Sequence, residues 1–589
     1  MVSYIHIEMH VAFRVLSNQK GGTFIMNRNR LVATFLERRG YTESVLDVLN
    51  DDKHPLLLDI DAMADALHGV YMRGEHMVIL PDFDMDGICS GTEAFAGFTE
   101  LGFRVSLFRP DPSEGYGFGA ESVERLVSEF PDAGVIITCD TGITCYEGVF
   151  EAFKRGIRVL VTDHHMEDAA DGLHLQADVV VNPNRVDDSY PNKGICGAHV
   201  MWQVMDRYAE RYRSLFEQEQ IARLRVFAGI GTISDAMPLV NENRALVRDA
   251  CGICRLAMED FFVDNLQGHR AYVRAFRGLH VVLDMFRELG KIEHADDIDE
   301  EFFAYYLAPM FNAAKRMNGD MDDVFGIFFG NDPKGAAGRL YQLNERRKAE
   351  VAAYFDELSG SEQPYAPYVY VSTAPSGILG LLAMKLIERS GVPTMVVAKS
   401  GNSYHGSGRA PEWYPALDLL KGEGFYAAGH QGAFGIGVTD VRELKSLHAF
   451  LERSVSEMVL SGDVKSGERA FDIYLSTFDK SADADVDIPL FAEYLREIER
   501  YAPFGVGFEK PSMSLTFRPE DADWCVIGSV KQHLKILLPH GFEVLCWNQA
   551  NMLDDLRNAA VVRVVGSLGV SEFREKRTVN FMGDAEVAR

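Results

Sequence analysis

Acidic residues recur directly after three apolar runs: Asp82, Asp84 and Asp86 after VILP, Asp140 after VIITC, and Asp163 with His164 and His165 after VLVT. One acidic residue at a strand end is ordinarily a helix cap or turn residue. Three such ends with two histidines make a set. Aspartates supply hard oxygen donors suited to Mg or Mn, and a histidine among them moves the preference toward Mn or another transition ion. A two-metal site for in-line attack on a phosphate is the natural reading, so phosphoester hydrolysis is the expected reaction class.

The elements that must position these residues are legible from about residue 76. HMVILPD, FRVSLFR, AGVIITCD, IRVLVTD and ADVVVNPN are short apolar runs of the kind that become buried parallel strands, and stretches such as AESVERLVSEF keep apolar residues at helical spacing between them. This alternation predicts a doubly wound α/β domain, whose ligands gather at the carboxyl ends of the strands. A mostly helical stretch follows over 180–330 and closes on LAPMFNAAKRMNGD, and residues 334–358 read as one long polar helix. From YVYVST the α/β pattern restarts with two Gly-rich loops, and beyond about residue 460 short strands dominate, as in a small barrel. The expected domains are an extension of unclear role at 1–26, a catalytic domain at 27–330, a linker helix at 331–365, a second α/β domain at 366–457 and a barrel at 458–589.

The 589 residues carry a net charge of -28, which argues against wholesale coating of nucleic acid, since phosphate binding is driven by Lys and Arg clusters. A local basic channel remains compatible with it. The 8 cysteines have no secreted context, and Cys251 and Cys254 have zinc spacing without a second pair nearby. With no apolar run near the roughly 18 residues a membrane span needs, a cytoplasmic protein is expected.

PDFDMDG, CDTGIT, VTDHH and GTISDAMPL resemble, in order and spacing, the four motifs of the DHH phosphoesterases. The resemblance implies metal ligands at Asp82, Asp84, Asp140, His164 and Asp235, for two divalent cations, Mn or Mg. It places His165 against the scissile phosphate with Asp163 orienting the site, and it leaves Asp86 as a peripheral ligand or a residue that holds the loop. Smaller members of the family carry a histidine four residues before the first aspartate; Val78 stands there in this chain, as in the RecJ branch.

Resemblance to that branch runs through nearly the whole chain from about residue 27. ERRGYTESVLDVL, SEGYGFG, CGAHVMW, LAPMFNAAKRM and QLNERRKAE match its segments, with His199 and Lys315 where small residues are usual. His199 reads as a polar residue accommodated at a helix start, and Lys315 as an added phosphate contact beside Arg316. GSGRA and GHQGAFG resemble the two glycine loops of the DHH-associated domain, where backbone amides cradle phosphate and Arg pairs with it. They assign Ser407, Arg409 and His430 to substrate binding, together with Arg316 of the LAPMFNAAKRM segment. YAPFGVGFEKP, GSVKQHLKILL and SEFREKRTVNF resemble the segment leading to the C-terminal OB-fold and that fold itself, with Lys531, His533, Lys535, Phe573, Arg574, Lys576 and Arg577 as nucleic-acid contacts.

The resemblance implies a 5'-to-3' exonuclease that releases mononucleotides from single-stranded DNA in repair or recombination, with a single-strand-binding protein or helicase as candidate partners. Its competitors are a phosphoesterase of short oligonucleotides or small nucleotides with the same ligands, and a non-catalytic scaffold.

Overall fold

The computed structural model describes residues 29–50, 55–111, 114, 117–167, 175–258, 270–461, 471–528, 531–573 and 576–588. The run HMVILP is buried at every position and forms β1 (His76–Pro81). Such a run suits the middle of a sheet covered on both faces. With β2 (Val105–Leu107), β3 (Ala133–Cys139), β4 (Arg158–Thr162) and β5 (Val179–Val181) it makes a parallel sheet of order β2-β1-β3-β4-β5. The strand order reverses between β1 and β3, and in such sheets a crevice opens there at the carboxyl ends.

The helix Met85–Glu100 leaves β1 almost entirely buried and packs against Gly197–Tyr212 and Leu215–Ser234. Its glycines permit the approach: a Cβ on Gly91 would meet Pro81 Cβ at 2.8 Å, and one on Gly97 would meet Met205 Sδ at 2.6 Å. Farther along, a π-helical turn, Phe303–Leu307, runs into the helix Ala308–Arg316.

The long polar helix expected over 331–365 spans Pro333–Gly360, with Pro333 in its first turn and Asp332 capping it. It leads to a second, mixed sheet of β6 (Val369–Ser372), β7 (Thr394–Ser400), β8 (Ser403–Arg409), β9 (Tyr426–His430) and β10 (Ala433–Val438), in the order β6-β7-β8-β10-β9. Tyr404, Phe434, Ile436 and Val438 face its core with Leu444, Leu447 and Leu451. The helix Ser376–Ser390 covers β7 and part of β8 on the other face.

Both sheets belong to one compact unit, Pro55–Met237 with Asp249–Ser466; the second unit comprises Met1–His54, Pro238–Arg248 and Gly467–Arg589. The second unit is built on β11 (Ile473–Ser476), β12 (Met513–Phe517), β13 (Asp523–Ile527), β14 (His533–Leu538), β15 (Phe542–Cys546), β16 (Val562–Phe573) and β17 (Lys576–Val587), in the order β11-β12-β16-β17-β15-β14-β13. Only residues 518–522 join β12, the second strand from one edge of the row, to β13 at the other edge, a connection short enough to curl the row into a barrel.

The helix Arg30–Arg38 belongs here and not to the catalytic domain expected to begin at 27. It is strongly amphipathic, and Leu31, Val32, Phe35 and Leu36 are buried with Ile473, Leu515 and Phe508. Arg39 then locks it through two bonds of 2.8 Å to the Asp472 carboxylate. The barrel side likewise begins later than the expected 458, since the helix Val441–Ser461 extends past that point and packs under the second sheet. Among the described residues no helix is long and apolar enough to cross a membrane.

Candidate active site

Backbone bonds at the carboxyl ends of the first sheet place the acidic residues side by side. Asp82 N–H donates to Cys139 carbonyl (3.0 Å), Asp140 N–H to Thr162 (3.1 Å) and Asp163 N–H to Val181 (3.2 Å). Asp84 caps the helix Met85–Glu100, its Oδ1 accepting from Asp86 N–H and Gly87 N–H, and Asn312 Oδ1 accepts from Met85 N–H at 2.8 Å. Asp140 sits at φ +63, a left-handed conformation that Asp tolerates better than most residues. Asp235 caps the end of Leu215–Ser234.

The result is three overlapping sets whose donor atoms lie within 4.8 Å of one another: Asp82, Asp84 and Asp140; Asp140, His164 and His165; Asp86, His164 and Asp235. His164 Nε2 stands 3.2 Å from Asp140 Oδ1 and 3.6 Å from Asp235 Oδ2. Burial, then the charge of Asp84, pushes the Asp82 carboxyl up to about 7. Burial, then Asp86 and Asp84, pushes Asp235 up to about 8. Asp86 and Asp140 are raised too, again chiefly by burial. So many buried carboxylates are tolerable near neutral pH only with protons or cations among them. Lys315 brings one ammonium, 3.6 Å from Asp84 Oδ2 and over the Phe83 ring. Asp82 Oδ2 and Asp140 Oδ1 are buried without any hydrogen-bond partner, which is the state of an oxygen kept for a cation. The donor set therefore fits two divalent ions.

The two histidines differ. Burial lowers the His164 imidazole, so this ring is neutral, the form that ligates metal. Burial also works against a charged His165, but the Asp163 hydrogen bond and charge push it up to about 9. Asp163 is fully buried; burial would raise it, yet the bond and charge of His165 hold it below the usual carboxylate range. Its Oδ1 accepts from His165 Nδ1 (2.8 Å) and from the backbone of His164 (2.7 Å), and its Oδ2 from Ile143 N–H (2.9 Å). Asp163 thus shapes the turn and turns the opposite ring edge of His165 away from itself.

Family models match the chain twice: the DHH family, N-terminal domain, over residues 76–230, and the RecJ OB domain over residues 483–584. The chain is 27% identical over 576 residues, 90% of each chain, to the single-stranded-DNA-specific exonuclease RecJ of Dickeya dadantii (strain 3937), and 25% identical over 567 residues, again 90% of each, to that of Escherichia coli (strain K12). The chain thus carries a DHH-family N-terminal domain and a RecJ OB domain, and it is similar to RecJ over most of its length. The fold of RecJ from Thermus thermophilus, solved in complex with Mn2+, matches with a TM-score of 0.71 at 21% identity, over 95% of this chain and 76% of that one.

Within the DHH domain, Asp86 is tied inward: its Oδ2 accepts from Gly197 N–H (2.6 Å) and its Oδ1 from Ala198 N–H (3.1 Å), at the start of Gly197–Tyr212. It pins a helix terminus while an oxygen still reaches 3.8 Å from His164 Nε2. Two glycines make room, since a Cβ on Gly197 would lie 2.3 Å from Asp140 Oδ1 and one on Gly231 would lie 2.4 Å from Asp86 Oδ1. Asn182 and Asn184, which end β5, donate to the carbonyls of His165 and His164. These glycines and asparagines, with Asn312, were missed from sequence; the polar NPN directly after a buried strand was the available signal.

Arg316 and Arg409 meet one end of the helix Ser376–Ser390, where a Cβ on Gly377 would strike Arg316 carbonyl at 2.2 Å and one on Gly380 would approach Arg409 Nη2 at 3.1 Å and Ser407 Oγ at 3.5 Å. Burial, then the charges of Arg347 and Arg409, lowers Arg316 to about 10. Arg347, from the long helix, is a contributor the motifs did not single out. The Nε of Arg409 is buried without a partner. His430 is exposed at the end of β9. His199 is buried and bonded to Gln203 (3.1 Å), a core residue; Cys251 and Cys254 are buried and join none of the metal-holding sets found among the described residues. In the barrel Lys531 is exposed and Lys535 is paired with Glu543 at 2.6 Å. Arg574 lies outside the described residues, as do the side chains of Phe573, Lys576 and Arg577.

Proposed function

We propose that the chain is a metal-dependent exonuclease that hydrolyses phosphodiester bonds of single-stranded DNA, in the 5'-to-3' direction, with release of mononucleotides. The observation that carries the reading is the set of three overlapping donor groups at one crevice, linked by the shared Asp140 and His164. Asp82, Asp84, Asp140, His164 and Asp235 would hold two cations, Mn or Mg, with Asp86 supporting them from the helix terminus it pins. When bound, the ions supply the Lewis acidity for in-line attack on a phosphate.

The chain's own groups do the rest. His165, kept protonated by Asp163, faces the scissile phosphate, offsets charge as it builds and donates a proton to the leaving oxygen. Lys315 adds positive charge beside Asp84. Arg316, Ser407 and Arg409, with Arg347 behind them, grip a neighbouring phosphate of the strand, and His430 lines the approach. Arg316, lowered by burial and by the charges of Arg347 and Arg409, sits poorly in the protein alone and well beside a bound phosphate. The RecJ OB domain would hold the strand beyond the cut. A single-strand-binding protein or a helicase is the kind of partner that would present such a substrate, in repair or recombination.

The deciding experiment is digestion of long 5'-phosphorylated single-stranded DNA against dinucleotides in Mn, with 3'-labelled and 5'-labelled strands to read direction. Processive loss of the long strand from its 5' end as mononucleotides is expected. Turnover restricted to dinucleotides would replace this reading with that of a short-oligonucleotide phosphoesterase.

A further inference from the structure

Along β14 the side chains alternate, with Leu534, Ile536 and Leu538 buried in the barrel and His533, Lys535 and Leu537 on the outer face. The register pairs Leu534 with Cys546, so His533 stands across from Trp547, one residue past the end of β15. Their rings meet edge to face with centroids 4.8 Å apart, and Asn548 N–H donates to His533 Nδ1 at 2.9 Å, fixing the imidazole. Held in this way, Trp547 keeps 50% of its surface in solvent. Leaving so large a ring in water forgoes the stabilisation that burial would give it.

The charge around the ring is mixed, with Lys531 in the turn before β14 and the exposed Asp584 of β17 close to Cys546. Between residues 524 and 553 the chain carries Lys531, Lys535 and a single carboxylate, Glu543, in a protein of net charge -28. Lys535 and Glu543 neutralise each other, whereas Lys531 is exposed in the turn that enters β14. The parallel pair β15–β17 and the antiparallel pair β12–β16 are the connections of a five-stranded Greek-key barrel, in which β14 and β15 are the second and third strands. That face, with the loop that enters it, is where such barrels take oligonucleotides.

We propose that the Trp547 indole, braced by His533 and approached over Lys531, is a stacking platform for a nucleobase of single-stranded DNA. Every base has a π-face, so the platform tolerates any sequence, and Lys531 neutralises a backbone phosphate beside it. The inference rests on the reading of the chain as a single-strand exonuclease, and the test separates the two.

Binding of fluorescent oligo(dT) to the full-length protein is measured in EDTA, so that nothing is cleaved, and degradation of the same strand is measured in Mn. Trp547→Ala should weaken binding by about 5- to 150-fold, the range for loss of one base–aromatic stack, and Trp547→Phe should retain most of it. Trp547→Ala should leave the slope of log affinity against log salt unchanged, whereas Lys531→Ala should make it shallower by about 0.7. If Trp547→Ala binds as tightly as the wild-type protein and the wild type degrades the strand, the platform is wrong and the exonuclease reading stands. If Trp547→Phe is as weak as Trp547→Ala while both melt like wild type, the loss is not one of stacking, and the platform is again wrong. If the wild type neither binds nor degrades the strand, both readings fall.

Discussion

Gly231→Ala tests how tightly the candidate metal centre is packed, because two effects of opposite sign compete there. Gly231 lies in the last turn of the helix Leu215–Ser234, and replacing a helical glycine by alanine ordinarily stabilises by about 0.5–1 kcal/mol. Here the new Cβ would lie 2.4 Å from Asp86 Oδ1, 3.1 Å from Ala198 Cβ and 3.2 Å from Cys196 Sγ, against roughly 3.5 Å for a relaxed contact. Asp86 cannot retreat cheaply, since it is 2% exposed and its oxygens hold Gly197 N–H and Ala198 N–H. Overpacking costs about 1–3 kcal/mol, and weakening a charge-assisted hydrogen bond costs about 1.5–3 kcal/mol. Against the helix gain, the expected net loss is about 1.5–5.5 kcal/mol in denaturant unfolding. A shift of Asp86 also moves the Gly197 terminus against Asp140, so degradation of single-stranded DNA in Mn should fall by about 10²-fold, the order expected for a 1 Å misplacement at a reacting centre. Gly338→Ala, in the helix Pro333–Gly360 where a Cβ meets nothing within 4 Å, supplies the comparison and should gain about 0.5–1 kcal/mol. Equal gains in both variants, with full activity in Gly231→Ala, would refute the reasoning.

Asp140→Asn should abolish hydrolysis yet raise the melting temperature of the metal-free protein, because it removes a carboxyl whose charged form burial and the neighbouring carboxylates disfavour, while keeping a residue that accepts φ +63. Asp82 and Asp235 hold protons when folded, at about 7 and about 8, that the unfolded chain has released by about pH 5. The stability they contribute is therefore present at low pH and lost as pH rises through 7 and 8; melting of the metal-free protein between pH 6 and 9 should show this fall, and saturating Mn should remove it. Asp163→Asn should lower kcat by roughly 10²- to 10⁴-fold with little change in KM, since the bond that keeps His165 protonated and oriented is lost; steady-state kinetics on a labelled strand will show which parameter moves. Arg409→Lys should instead raise KM by about tenfold, the worth of one bidentate phosphate contact, with kcat nearly unchanged.

The sequence alone determined the class of the site and the architecture that carries it. Buried strands announce themselves as apolar runs, and an acidic residue at the end of each run has few reasons to be there, so Asp82, Asp84, Asp86, Asp140 and Asp163 with its two histidines were legible without coordinates. Asp235 was reached only through the resemblance of its motif, because a helix end gives no local pattern that distinguishes a ligand from a cap. What only the tertiary structure decided are relations between residues far apart in the chain. Asp86 faces the Gly197 terminus because the two helices cross within the width of a glycine. Arg347 acts on Arg316 because the long helix Pro333–Gly360 packs against the helix Ala308–Arg316. The helix Arg30–Arg38 joins the barrel because its apolar stripe had to be covered by some surface, and periodicity shows that a stripe exists without saying which surface covers it. Trp547 and His533 meet through strand register, a property of pairing that neither segment encodes alone.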